Sequence, residues 1–558
     1  MCVSTRHLLV FLLAILPLPA IAQCIPPGTT VIQPGTTAVA QTVIPRYVSG
    51  TTFPAGQITG FGPQSILTGT SATASTGSTK AVVITDGYGT SISQWQTQSP
   101  GTQPAVLQPI IRDITIAGYS TNGWDSGGDV NDGPNIYNKT DTDKYAGLVA
   151  HATGGTLENV TLFYIPGTAA QITRPGSLLN GATRQFDRLK WNVHDLYIRR
   201  VFRGIWMNAT DSHLTDVEVT GFRDYGVRIG EYQAGGAVQF ARIHAYGGGM
   251  LAADNTSTIA GQGGMPAGVD SAAIWIDGDN NHGVDCYGEN APVGLYIKGS
   301  YNALDGLISH TCWVTNVNLG GSFNHISKAR VDVLGDDWTI NFDGGSGTFQ
   351  AGESVTFGGG ASGTVLTVTG TSSAGTLTVR QVAGAKPADN ESITGPHATA
   401  SVNGTPTVLA TRTGVNFLDQ YNSLVDSTVQ PSGSSAAIVL SNGQNQTLRD
   451  VVVGSYNNFQ STGIKANYYL YNCRIDAHIT GGGTGLDLVS GGSATITSGI
   501  SLVTGGTNYL GSGNVIHITT SNSTVVRARL PAGWTTNPSG AIATTNEIVI
   551  DGERYYPH

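Results

Sequence analysis

The chain of 558 residues carries little charge: 12% of it is Asp, Glu, Lys or Arg, and the formal net charge is −9. So few cations leave no general counter-surface for a phosphate backbone, which excludes nucleic acid as the expected partner. Cysteine is scarce, at five residues. Cys24, Cys286, Cys312 and Cys473 are too scattered for a disulfide framework and are expected as buried thiols. No apolar run reaches the roughly 20 residues of a membrane span. After the first 22 residues no segment sustains a helical period, so helical architectures are excluded.

What remains is glycine, 76 residues of it, and a phrase repeated between Trp191 and Phe342. Asp195-Leu196-Tyr197-Ile198-Arg199 lies over Asp216-Val217-Glu218-Val219-Thr220 and over Arg242-Ile243-His244-Ala245-Tyr246. Val284-Asp285-Cys286-Tyr287, Leu307-Ile308-Ser309-His310 and Ala329-Arg330-Val331-Asp332 follow. A second strand alternates with the first, at Ile205-Trp206-Met207, Val227-Arg228-Ile229, Ile274-Trp275-Ile276, Leu295-Tyr296-Ile297, Val317-Asn318-Leu319 and Ile340-Asn341-Phe342. A period of about 21 to 26 residues without helical pattern signals a solenoid. Alternate side chains of a strand point to opposite faces, so Leu196, Val217, Ile243, Val284 and Leu307 are expected to stack inside. The expected fold is an all-β, right-handed parallel β-helix.

Residues 1–22 combine Arg6 and His7, an apolar run from Leu8 to Leu18, and Ala20-Ile21-Ala22. That is the pattern of a secretory leader cleaved after Ala22, which predicts an exported, extracellular or periplasmic protein. Residues 23–80 read as an opening β-rich cap and 81–343 as the β-helix. Gly344 to Leu409 lacks the coil period and carries its own duplication, in which Glu353-Ser354-Val355 is echoed by Glu391-Ser392-Ile393. It reads as a small β module inserted in a turn, with the helix resuming over 410–480. Residues 481–558 read as a C-terminal β cap or, alternatively, a trimer-forming element. Two excursions stand out. Asn122 to Tyr145 holds Asp125, Asp129, Asp132, Asp141 and Asp143, oxygen donors suited to calcium but without the spacing of an EF-hand, so no cofactor is expected. Gly247 to Asp270 is a glycine-rich loop placed to wall a groove.

Outward positions of the repeat carry the chemistry. One column runs Tyr197, Glu218, His244, Asp285, Ile308, Arg330, and the second strand offers Trp206, Arg228, Trp275 and Tyr296, with Asp277 beyond. Rings beside carboxylates suit a polysaccharide, whose C–H faces stack and whose hydroxyls hydrogen-bond. Residues 184–244 hold nine of the 28 Lys and Arg residues, Arg184 and Arg188 among them, which points to an acidic polymer. Tyr197, Trp206, Arg228, Trp275, Asp277, Tyr296 and Arg330 are the expected substrate contacts. Hydrolysis needs two carboxyl groups, and Glu218 and Asp285 read as two coils apart, about 9.6 Å, with His244 between them. Lytic cleavage of a uronate instead needs a base and a cation, for which His244, Tyr197 or Tyr246 with Arg228 and Arg330 qualify. Both routes stay open, as do a non-catalytic binder and a scaffold without ligand.

Over residues 50 to 480 the repeat architecture resembles the pectin-lyase-like superfamily of polygalacturonases, pectate lyases and phage tailspike depolymerases. Ile58-Thr59-Gly60-Phe61-Gly62 is similar to the clause that opens their first coils, and the inserted module resembles short β repeats of phage tail fibres and tailspikes. The resemblance implies a groove on the side of the helix that binds and cleaves a polysaccharide. The Asn-Thr-Asp, Gly-His-Gly and Arg-Ile-Lys blocks of polygalacturonases are absent, so no catalytic residue is carried over.

Overall fold

The computed structural model describes residues 29–39, 42–44, 56–69, 80–85, 109–118, 145–150, 154–173, 190–222, 224–230, 236–248, 272–333, 335–371, 373–383, 386–431, 436–442, 445–454, 462–466, 473–480 and 484–488, with strands at 501–503, 516–518, 525–529, 547–550 and 553–555. The leader, Cys24, the aspartates of 125–143, Arg184, Arg188 and the glycine-rich loop beyond Gly248 lie outside the described residues. Among the described residues there is no helix long and apolar enough to cross a membrane.

Each coil of the repeat lays down three short strands that pair in parallel with the same strands of the next coil. From Trp191 to Asp332 the steps are 21, 22 or 26 residues, with one long coil of 43. Stacking these coils makes three sheets around one core: the fold is a parallel β-helix. The first and second sheets meet at a single residue per coil, held at positive φ: Asp195, Asp216, Arg242, Asp285, Gly306 and Lys328. One left-handed residue turns the chain sharply without spending a loop, and Asp and Gly tolerate it best. Between the third sheet and the first, buried amides form a ladder: Asn281 accepts from Val238 N–H, Asn302 from Asn281 N–H at 2.9 Å, Asn324 from Asn302 N–H at 3.0 Å, and Asn422 from Asn324 N–H at 2.9 Å.

The inner column of the second sheet is Leu196, Val217, Ile243, Cys286 and Leu307, all buried. Val284, expected in this column, lies outside it and pairs with Ala241 and Asp305. The cause is Gly283. It occupies the inner position of the first sheet between Phe240 and Leu304, whose side chains fill the space a Cβ would need. Burial pushes the Cys286 and Cys312 thiols up to about 12. Neither should react with an aromatic disulfide reagent at about pH 8 until the protein is denatured, since the thiolate is the nucleophile. Rapid labelling of Cys286 or Cys312 in the native chain, located by peptide mapping, would show that these coils open.

The inserted module starts earlier than the sequence suggests. Strand Asp337–Gly347, which contains Ile340-Asn341-Phe342, pairs antiparallel inside the module and not with the coils. Six antiparallel strands close a ring, from Asp337–Gly347 through Ala374–Ala383, Ser362–Gly370, Ser354–Phe357 and Ser392–Thr394 to Ala398–Val402 and back. This barrel has its own core of Ile340, Phe342, Val355, Val365, Leu377 and Val402. A strand at Thr407–Ala410 pairs back onto Asp337–Thr339 at its base. On the far side the solenoid continues: Thr315 pairs with Thr413, His325 with Ser423 and Arg330 with Thr428. Parallel pairing also runs past residue 480 to Glu547–Ile550, where the antiparallel strand Glu553–Tyr555 closes the stack.

Candidate active site

Outward residues of the second sheet form one strip. The pairings place Tyr197, Glu218, His244, Tyr287, Ile308 and Arg330 in one column. Arg199, Thr220, Tyr246, Glu289, His310 and Asp332 form the column beside it. Asp285 is therefore not in line with Glu218. It is the exposed left-handed corner residue of its coil, two positions before Tyr287.

Glu289 stands at the centre of the strip. Its side chain is only 14% exposed, and each oxygen meets an imidazole: Oε1 lies 3.1 Å from His244 Nε2 and Oε2 lies 2.8 Å from His310 Nε2. Tyr287 donates its hydroxyl to Oε2 at 3.2 Å and also touches His310 Nε2. The His244 ring stacks on Tyr287 at 4.5 Å between centroids and packs against Tyr246 at 4.6 Å. Tyr246 in turn donates to Glu218 Oε1 at 2.9 Å. Two carboxylates, two histidines and two tyrosines thus form one connected network.

Burial, and next to it the Glu289 charge, pushes the Tyr287 hydroxyl up to about 12, so at neutral pH it keeps its proton. Tyr246 is raised as well, chiefly by burial. A carboxylate facing an imidazole nitrogen at 2.8 Å requires a proton between them. On His244 that puts a hydrogen on Nε2, which donates to Oε1. Arg330, well exposed, lies 3.0 Å from Asp332, and exposed Arg199 marks the other end of the strip, about 24 Å away at 4.8 Å per coil.

Trp206, Arg228, Trp275 and Tyr296 form a separate column on the third sheet. Arg228 sits between two indoles, 4.9 Å from the Trp206 ring and 5.0 Å from that of Trp275. Its guanidinium is paired with Asp277, which is 1% exposed, so Asp277 is the buried counter-ion of Arg228 and does not face solvent. Trp206 donates to the Gly230 carbonyl at 3.0 Å. The sequence pattern thus merges two surfaces that the fold keeps on different sheets, and it misses Glu289. The inner-position glycine at 283 is the signal that would have set the register.

No protein-family model matches the sequence, and no curated protein matches it. Among solved structures the chain is similar to a periplasmic alginate epimerase, at 8% identity over 88% of this chain and 85% of that one, with a TM-score of 0.34. It is also similar to the tailspike of Escherichia coli bacteriophage HK620 in complex with a pentasaccharide, at 10% identity over 89% and 72%, TM-score 0.34. A third is the catalytic domain of a GH87 α-1,3-glucanase, at 10% over 94% and 63%, TM-score 0.29. The chemistry of the strip follows from its own residues.

Among the described residues no group of three or more His, Cys, Asp and Glu could hold a metal ion.

Proposed function

We propose that the chain is an exported protein that binds an acidic polysaccharide along its second sheet and cleaves it by elimination beside a uronate carboxylate. The observation that supports this best is the carboxylate of Glu289 shared between two imidazoles. It orients one ring as a base and supplies the counter-charge for a proton on the other. His244 Nδ1 takes the proton from the carbon next to the uronate carboxyl, and that electron pair forms the carbon–carbon double bond. The bond from the adjacent carbon to the glycosidic oxygen breaks, and this oxygen takes the Nε2 proton of His310. One proton is taken and one is returned, so no oxidant, cofactor or water is consumed. Charge building on the carboxylate is met by the His310 cation, and carboxylates of sugars further along by Arg199 and Arg330. Export rests on the leader pattern of residues 1–22, and the mature chain would begin at Gln23.

A hydrolytic reading is favoured by one observation, that Glu218 and Glu289 bring two carboxyl groups into the same network. Incubation with a panel of acidic and neutral polysaccharides separates the readings. Elimination yields new reducing ends together with the ultraviolet absorbance of unsaturated uronates, and hydrolysis yields reducing ends alone. Binding with neither product would leave a non-catalytic carbohydrate binder and sink the proposal.

A further inference from the structure

Thr311 is in an unsuitable backbone conformation for its residue type. The corner from the second sheet to the third is held at positive φ on successive coils by Arg200, Gly221, Gly247, Asn290 and Thr311, the last at 53°. Glycine and asparagine accept this region readily, whereas a β-branched side chain is crowded there and is an outlier. Nothing about the corner calls for threonine. Strain of this kind is kept where a side chain has a task.

The hydroxyl of Thr311 donates to the carbonyl of His310 at 2.8 Å. With its only hydrogen committed, its oxygen can only accept, and it does so from Asn290 N–H at 3.2 Å and from His310 Nδ1 at 3.1 Å. In this arrangement His310 Nδ1 donates to Thr311, beside the Nε2 proton that Glu289 requires, so the ring is held through a hydrogen at each nitrogen. Nε2 is left as the nitrogen that gains and loses a proton. The ionisable groups facing this ring are Glu289 and Tyr287 from the preceding coil and Asp332, with its partner Arg330, from the following one; His244 stands across Glu289.

We infer that Thr311 is the positioning residue of His310, its hydroxyl holding the proton on Nδ1 so that proton exchange runs through Nε2 toward Glu289 and Tyr287. The consequence for turnover rests on the elimination reading above; the tautomer does not.

The test is histidine side-chain nitrogen NMR across a pH titration of the whole protein, with Thr311→Gly and Thr311→Ser alongside. In the native protein and in Thr311→Ser, the ring that has given up its Nε2 proton at the alkaline end of the titration keeps its hydrogen on Nδ1. In Thr311→Gly, which suits the positive φ, the hydrogen redistributes toward Nε2 while the melting temperature stays within a few degrees. Turnover on an acidic polysaccharide falls about tenfold in the glycine variant with KM little changed, its pH profile moves, and the serine variant restores both. A native His310 that carries its neutral-state hydrogen on Nε2, or a glycine variant with an unaltered tautomer, overturns the inference. Altered tautomers in a protein that cleaves nothing would instead overturn the elimination reading and leave the positioning role standing.

Discussion

Glu289→Gln should lower kcat by about 10²- to 10⁴-fold while leaving KM within a few-fold, because the amide keeps the shape but not the charge that both imidazoles need. In the amide one of the two carboxylate oxygens becomes an NH2 donor, so the group cannot accept from His244 Nε2–H and His310 Nε2–H together. One ring must turn or lose its proton. The pH profile should lose a limb in this variant, since base and acid no longer share a counter-charge. Asp285→Asn is the control. Its corner position accepts asparagine at positive φ, and less than a twofold change is expected. Undiminished turnover in Glu289→Gln would remove the His–Glu–His arrangement from the mechanism and return attention to Glu218.

The second large effect concerns the joint between the barrel and the solenoid. Asp337 is bracketed by Arg380, whose Nε lies 3.1 Å from Oδ1, and by Arg412, whose guanidinium contacts Oδ2. The Arg412 side chain has no exposed surface, and burial pulls its guanidinium below its ordinary value even beside Asp337. The same guanidinium donates to the Gly335 carbonyl at 2.5 Å, and Arg380 lies over the Trp313 ring of the solenoid at 5.6 Å. Removing the charge in Asp337→Asn takes from two buried cations the carboxylate they share and leaves Arg412 only the weaker field of buried Asp336, which should cost about 3–5 kcal/mol. Denaturant unfolding followed by tryptophan fluorescence would report it. Exchanging Asp336, Asp337, Arg380 and Arg412 together for apolar residues of similar volume should recover most of the loss, since a buried ion pair gains little net over good packing. A fall of under 1 kcal/mol in the single variant would mean that water reaches the joint.

The solenoid was legible because burial of every coil demands the same inward alternation, and most columns read from the sequence pair as expected, such as Glu218 with His244 and Trp275 with Tyr296. The failures have local causes. Gly283 gives the inward place to neighbouring side chains, so Val284 imitates an inner residue and the coil reads two positions out of phase. That slip put Asp285 in the site and left Glu289 out. The alternation of Trp338, Ile340 and Phe342 is genuine, but a barrel strand and a solenoid strand bury alternate residues alike, so pattern could not separate them. Asp277 follows a strand and looks outward by count, yet its burial depends on Arg228, a partner 49 residues away.

The constant offset of 98 residues between coils on either side of the barrel bears on how the chain folds. Closing a loop of 98 residues rather than 22 costs about 1 kcal/mol more in chain entropy, and the search for the right partner lengthens accordingly. The barrel removes that handicap if it forms first, because Asp337 and Ala410 are paired at its base and its ends already lie together. The chain then meets the next coil across a gap no longer than its neighbours span. A self-closing insertion is thus kinetically almost invisible to the solenoid that carries it.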